Sequence, residues 1–106
     1  MPTNEQTTPR FKRVVRWLRK NFPTERPVVV RTPTAEAMPG LHGLCLIDDE
    51  RVLIRVTMDV EQVMIDALIE EWVHALRQEC PVPIEDDHDS IFWAIYGTVS
   101  MKYRGE

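Results

Sequence analysis

A small α+β domain is the fold class this sequence predicts, and three observations carry that expectation. β-branched runs of strand length occupy the middle of the chain, and apolar residues at helical spacing fill the flanking stretches. With 106 residues and 43% hydrophobic content, the chain has apolar side chains for one modest core.

Residues 1–8 are polar and expected to be disordered, ahead of a single domain over 9–106. Pro9 is placed to open a helix running to about Asn21, where Pro23 stops it, and Phe11, Val14, Val15, Leu18 and Phe22 form its apolar stripe. The run Val28 to Thr32 reads as a first strand, closed by Pro33. Leu41 to Ile47 and Arg51 to Thr57 are two further strands joined through Asp48, Asp49 and Glu50, and an antiparallel hairpin is expected. In the last of these, Val52, Ile54 and Val56 alternate towards one face, and the strand is a candidate edge for an extended peptide. Asp59 is placed to cap a central helix through about Glu79. Two prolines and three consecutive acids make Cys80 to Asp87 a loop, and Asp89 or Ser90 can cap a last helix to about Tyr103. Trp72, Phe92 and Trp93 are expected as core aromatics joining the last two helices.

The formal net charge of −4 does not point to nucleic acid as a whole-chain partner. Arg10, Lys12, Arg13, Arg16, Arg19 and Lys20 crowd the first helix, which fits an ordinary surface helix with a cationic solvent face better than a nucleic-acid or membrane patch. The chain carries no apolar run of about 18 residues and its first stretch, MPTNEQTTPR, has no apolar signal region, so a soluble cytoplasmic protein is expected. Cys45 and Cys80 do not have the spacing of a disulfide scaffold and are expected as buried or incidental thiols.

The chemistry concentrates on the central helix. Residues four apart share a helical face, so Glu70 and His74 can hold a common ion, with Glu71 one position round from Glu70. Glu70-Glu71-Trp72-Val73-His74 keeps the frame of the HExxH zinc motif with a carboxylate at the first ligand position. The stretch ALIEEWVHAL, Ala67 to Leu76, resembles the ALxHEWxHAL-type helices of SprT-like and WLM-like minimal gluzincin-type zinc peptidases. His88-Asp89-Ser90-Ile91-Phe92-Trp93 is similar to the HDxxFY or HGxxFW stretch that supplies their third ligand, and the order of elements is similar to their small zincin-like core.

The resemblance implies a zinc-dependent metallopeptidase domain, with Glu70, His74 and His88 as metal ligands and Glu71 as the general base that activates water. A carboxylate in the first position is chemically admissible, because zinc accepts carboxylate oxygen at about 2.0–2.2 Å and a His₂Glu set with one open position is an established catalytic combination. Peptide or protein is then the substrate, and similar minimal peptidases occur in phages and prophages. The alternative is a catalytically degenerate member of the same fold that binds metal, protein or nucleic acid, which the departure at Glu70 brings into play. A carboxylate-bridged di-iron site would need further ligands from a four-helix bundle that a strand-bearing chain does not supply. Tyr96 lies two turns beyond His88 and suits packing better than catalysis, and His42 has no spacing relation to the motif.

Overall fold

The computed structural model describes residues 8–106. It shows an α+β domain with helices α1 (Pro9–Asn21), α2 (Glu61–Glu79) and α3 (Ser90–Arg104) and strands β1 (Val28–Arg31), β2 (Gly43–Ile47) and β3 (Val52–Val56). One 3₁₀ turn, Ala35–Ala37, interrupts the connection between β1 and β2. The expected disordered stretch 1–8 falls, apart from Thr8, outside the described residues. No helix among the described residues is long and apolar enough to cross a membrane.

Local chemistry accounts for most boundaries. The Thr8 hydroxyl accepts from the Phe11 N–H at 3.1 Å, and Pro9 fills the first helical position, where a missing N–H costs nothing. At α3, the Asp89 carboxylate accepts from the Phe92 N–H at 2.9 Å. At α2 the expected cap is one residue off: Val60 is the N-cap, and the Asp59 carboxylate accepts from the Val60 N–H at 2.7 Å. That bond turns the chain into the helix without satisfying a donor of its first turn, where the acidic Glu61 still complements the helix dipole.

The strand order is β1-β3-β2, with β1 parallel and β2 antiparallel to β3. β3 is therefore the central strand, which corrects the expectation that it offers a free edge. Its register runs Val28↔Val52 to Arg31↔Arg55 on one side and Gly43↔Val56 to Ile47↔Val52 on the other, so both of its backbone rows are in use. The hairpin is extended beyond β2, because the Thr57 N–H donates to the His42 carbonyl at 2.9 Å and its hydroxyl donates to the Leu41 carbonyl at 2.6 Å.

α2 packs against β2, β3, α1 and α3. Val52, Ile54 and Val56 turn inward as their alternation predicts, and meet Leu18 of α1, Ile65, Leu68 and Trp72 of α2, and Phe92 and Val99 of α3. Trp72 is fully buried and its indole donates to the Phe22 carbonyl at 2.9 Å, which ties the end of α1 to α2. Trp93 is 52% exposed and not a core residue, because its neighbour Phe92 takes the inward position and one helical step of ~100° turns Trp93 to the surface.

Central and edge strands should respond differently to truncation. Ile54→Ala, at a fully buried position of β3, is expected to lower unfolding free energy by about 2–5 kcal/mol, whereas Leu46→Ala on the exposed face of β2 should stay within about 0.5 kcal/mol, both read from urea denaturation midpoints.

Candidate metal centre

Three side chains from two elements meet at one point. Glu70 and His74 stand one turn apart on α2, and His88 arrives from the loop that joins α2 to α3. One ligand atom from each lies within 4.8 Å of the others. The His74 and His88 Nε2 atoms are 3.2 Å apart, and His88 Nε2 lies 3.8 Å from Glu70 Oε2. Two imidazole nitrogens bound tetrahedrally at about 2.05 Å would stand about 3.3 Å apart, so the histidine pair already has the spacing of a chelate. The group is close enough to hold a metal ion.

Aromatic packing fixes both rings. His74 and His88 stack with centroids 5.0 Å apart, and Phe92 packs against both, at 4.6 and 4.5 Å. Trp93, turned outward, covers His88 at 5.5 Å. Burial holds the His74 pKa below its ordinary value, and the neighbouring His88 lowers it further against the opposing pull of Asp87 and Glu70. A neutral imidazole is the form that coordinates a metal.

Glu71, next in sequence to Glu70, sits in a different environment. Only 7% of it is exposed, and burial, with the charges of Glu70 and Asp87 added, pushes its pKa up to about 7. The space for its side chain comes from β2. A Cβ placed on Gly43 would stand 2.9 Å from Glu71 Cγ and 3.1 Å from Oε2, so a glycine at this point lets the carboxylate lie against the strand backbone. Cys45, on the same strand, is a partly buried free thiol whose pKa burial and then Glu71 push up to about 12, so it remains a thiol.

Two clefts, of about 390 and 420 Å³, meet at this point and share Leu41, Gly43, Glu70 and Glu71. The first continues along β2 past His74 and His88 to Ile84 and Asp87, and the second runs past His42 to Tyr96. His42, which the sequence spacing leaves out of the site, thus lines the same trough. Tyr96 does too, while also packing against Trp93 at 5.6 Å.

The residue that sequence patterning misses altogether is Arg77. It is 2% exposed at the end of α2, and its guanidinium donates through Nε to Asp89 Oδ1 at 3.0 Å and through Nη2 to Asp89 Oδ2 at 2.7 Å. The remaining N–H groups reach the Val82 and Pro83 carbonyls, each at 2.9 Å. Hydrogen bonds from Arg77 and then from the Phe92 N–H hold the Asp89 carboxyl well below the usual carboxylate range. On the basic helix α1, two of the cations make internal contacts: Arg10 pairs with Glu61 at 3.3 Å, and Arg19 donates to the Val28 carbonyl at 2.8 Å.

Compared with known protein families, with curated proteins and with solved structures, the chain gives no significant match.

Two outcomes follow for Glu71 and its glycine. The folded, metal-free protein holds the Glu71 proton more tightly than the unfolded chain, so its stability should fall as pH rises from 4.5 through about 7. Glu71→Gln should flatten that part of a stability profile measured by urea denaturation across the range. Gly43→Ala should cost about 1–3 kcal/mol in the same assay by driving Glu71 from its place.

Proposed function

We propose that this protein is a zinc-dependent peptidase whose metal is held by Glu70, His74 and His88, with Glu71 as the proton-transfer group. The observation that carries this reading is the convergence of a carboxylate and two imidazoles within 4.8 Å, beside a separate buried carboxyl, at the floor of an open trough. The ligand set of two histidines and one glutamate suits zinc and leaves a position open.

Bound zinc supplies Lewis acidity, which polarises a carbonyl and acidifies water. The chain's own groups supply the rest. Glu71, a carboxyl beside the ligand group and itself outside it, takes a proton from the attacking water and delivers it to the departing amine. β2 is the last strand of the sheet on the side of the trough, so its outer backbone row is the edge along which an extended peptide can align. That role, expected of β3, belongs to β2 because β1 occupies the other side of β3. Leu41 and Ile84, both about half exposed, offer apolar contacts within the same trough.

Substitution separates the two adjacent glutamates. Glu70→Ala removes a ligand and should weaken zinc binding strongly, whereas Glu70→His should preserve or tighten it. Glu71→Gln should leave zinc content unchanged and lower peptide turnover by about 10² to 10⁴-fold. Zinc titration and cleavage of casein and peptide libraries by the parent and these variants provide the test. Equal zinc affinity in Glu70→Ala and parent rejects the ligand assignment. A parent that binds zinc and cleaves nothing is a metal-binding module without hydrolytic function.

A further inference from the structure

We infer that Arg77 is a positioning residue for the metal centre, which latches the loop carrying His88 so that the third ligand is in place before a metal arrives. The inference rests on the metal reading of Glu70, His74 and His88, and adds to it a group outside the ligand set.

Apart from the ring of His88, which packs on His74, Phe92 and Trp93, and a Glu85 backbone hydrogen bond to Asp89, the loop between α2 and α3 has little else to hold it. Residues 81–88 are all exposed, and among the described residues no backbone hydrogen bond joins one of them to another. A segment with neither apolar burial nor backbone pairing opens at little cost. Its tethers run instead to Arg77, from the Val82 and Pro83 carbonyls at one end and from the Asp89 carboxylate at the other. His88 is the residue immediately before that carboxylate.

The chemistry of the latch selects arginine. Its planar fork makes paired bonds to one carboxylate while its outer N–H groups point to the two carbonyls, a set of directions that a lysine ammonium cannot reproduce. The same Asp89 carboxylate accepts from the Phe92 N–H, so the latch also sets the first turn of α3 and with it the ring that packs on both histidines. Arg77 itself is fixed because it lies three residues beyond His74 on the same rigid helix. Both imidazoles are therefore referred to one frame: His74 directly, and His88 through Arg77 and Asp89. Residues that orient metal ligands in this way are worth about 10–100-fold in metal affinity.

The test uses the full chain with Arg77→Lys and Asp89→Asn, the second of which keeps a helix-capping side chain while removing the ionic acceptor. Circular dichroism establishes that each variant is folded. Two readouts are then taken: ring-to-ring nuclear Overhauser contacts between His88 and Phe92 in metal-free protein, and zinc affinity by chelator competition. The latch predicts that the contacts weaken or vanish in both variants and that zinc affinity falls about 10–100-fold, more in Arg77→Lys than in Asp89→Asn. Folded variants that keep the ring contacts, with zinc affinity within about twofold of the parent, overturn it. A parent that takes up no zinc overturns the metal reading, and the ring contacts in metal-free protein still decide whether Arg77 holds the loop.

Discussion

A guanidinium buried to 2% exposure must be answered by an anion and by further acceptors, or the fold does not keep it. In this chain the answer to Arg77 organises everything that follows α2. Its partners are one carboxylate and two carbonyls, drawn from both ends of an exposed loop. The carboxylate also caps α3, and the first turn of α3 carries the phenylalanine on which both histidines rest. Removing one partner would leave a charge buried without compensation, which is more costly than never having buried the pair. The interaction thus ties the geometry of the Glu70, His74 and His88 cluster to the packing of the domain.

A second constraint divides the labour of two neighbouring glutamates. Glu70 has a side chain 44% exposed and lies with the histidines, while Glu71 is only 7% exposed and is pressed against β2. One residue of helical phase separates a solvated carboxylate beside the two histidines from a carboxyl that retains its proton to about neutral pH. The difference is built by the sheet: Gly43 offers no side chain, and Thr57 fixes the approach of Leu41 and His42 by bonding to their carbonyls. Hairpin and helix together make the floor of the trough.

Much of this was legible in the residues. Pro9 marks the start of α1, Asp89 marks that of α3, and the β-branched runs mark the strands, because each signal acts over a few neighbouring residues. The pairing of His74 with His88 followed from a resemblance in two short stretches, and the structure brings their Nε2 atoms to 3.2 Å. Strand order was not legible: Val52, Ile54 and Val56 alternate as any strand with one buried face does, whether its edges are free or paired. Trp93 was misplaced because α3, unlike the many-sided α2, packs mainly on one neighbour, and Phe92 takes that face while Trp93 stands one helical step round from it. Arg77 escaped because apolar periodicity has no term for a buried cation, and its partner lies 12 residues away across a loop of no regular structure. A lone arginine on the largely buried helix α2 was the available signal, since such a charge needs a partner.

The central claim is that Glu70, His74 and His88 form one zinc site. X-ray absorption at the zinc edge, on protein loaded with one equivalent of the metal, examines its ligands directly. The account predicts a shell of nitrogen and oxygen atoms only, at about 2.0–2.2 Å, with the outer-shell scattering of two imidazoles. A sulfur scatterer at about 2.3 Å would place the metal on Cys45 or Cys80 instead, and the scattering of fewer than two imidazoles would contradict the shared site.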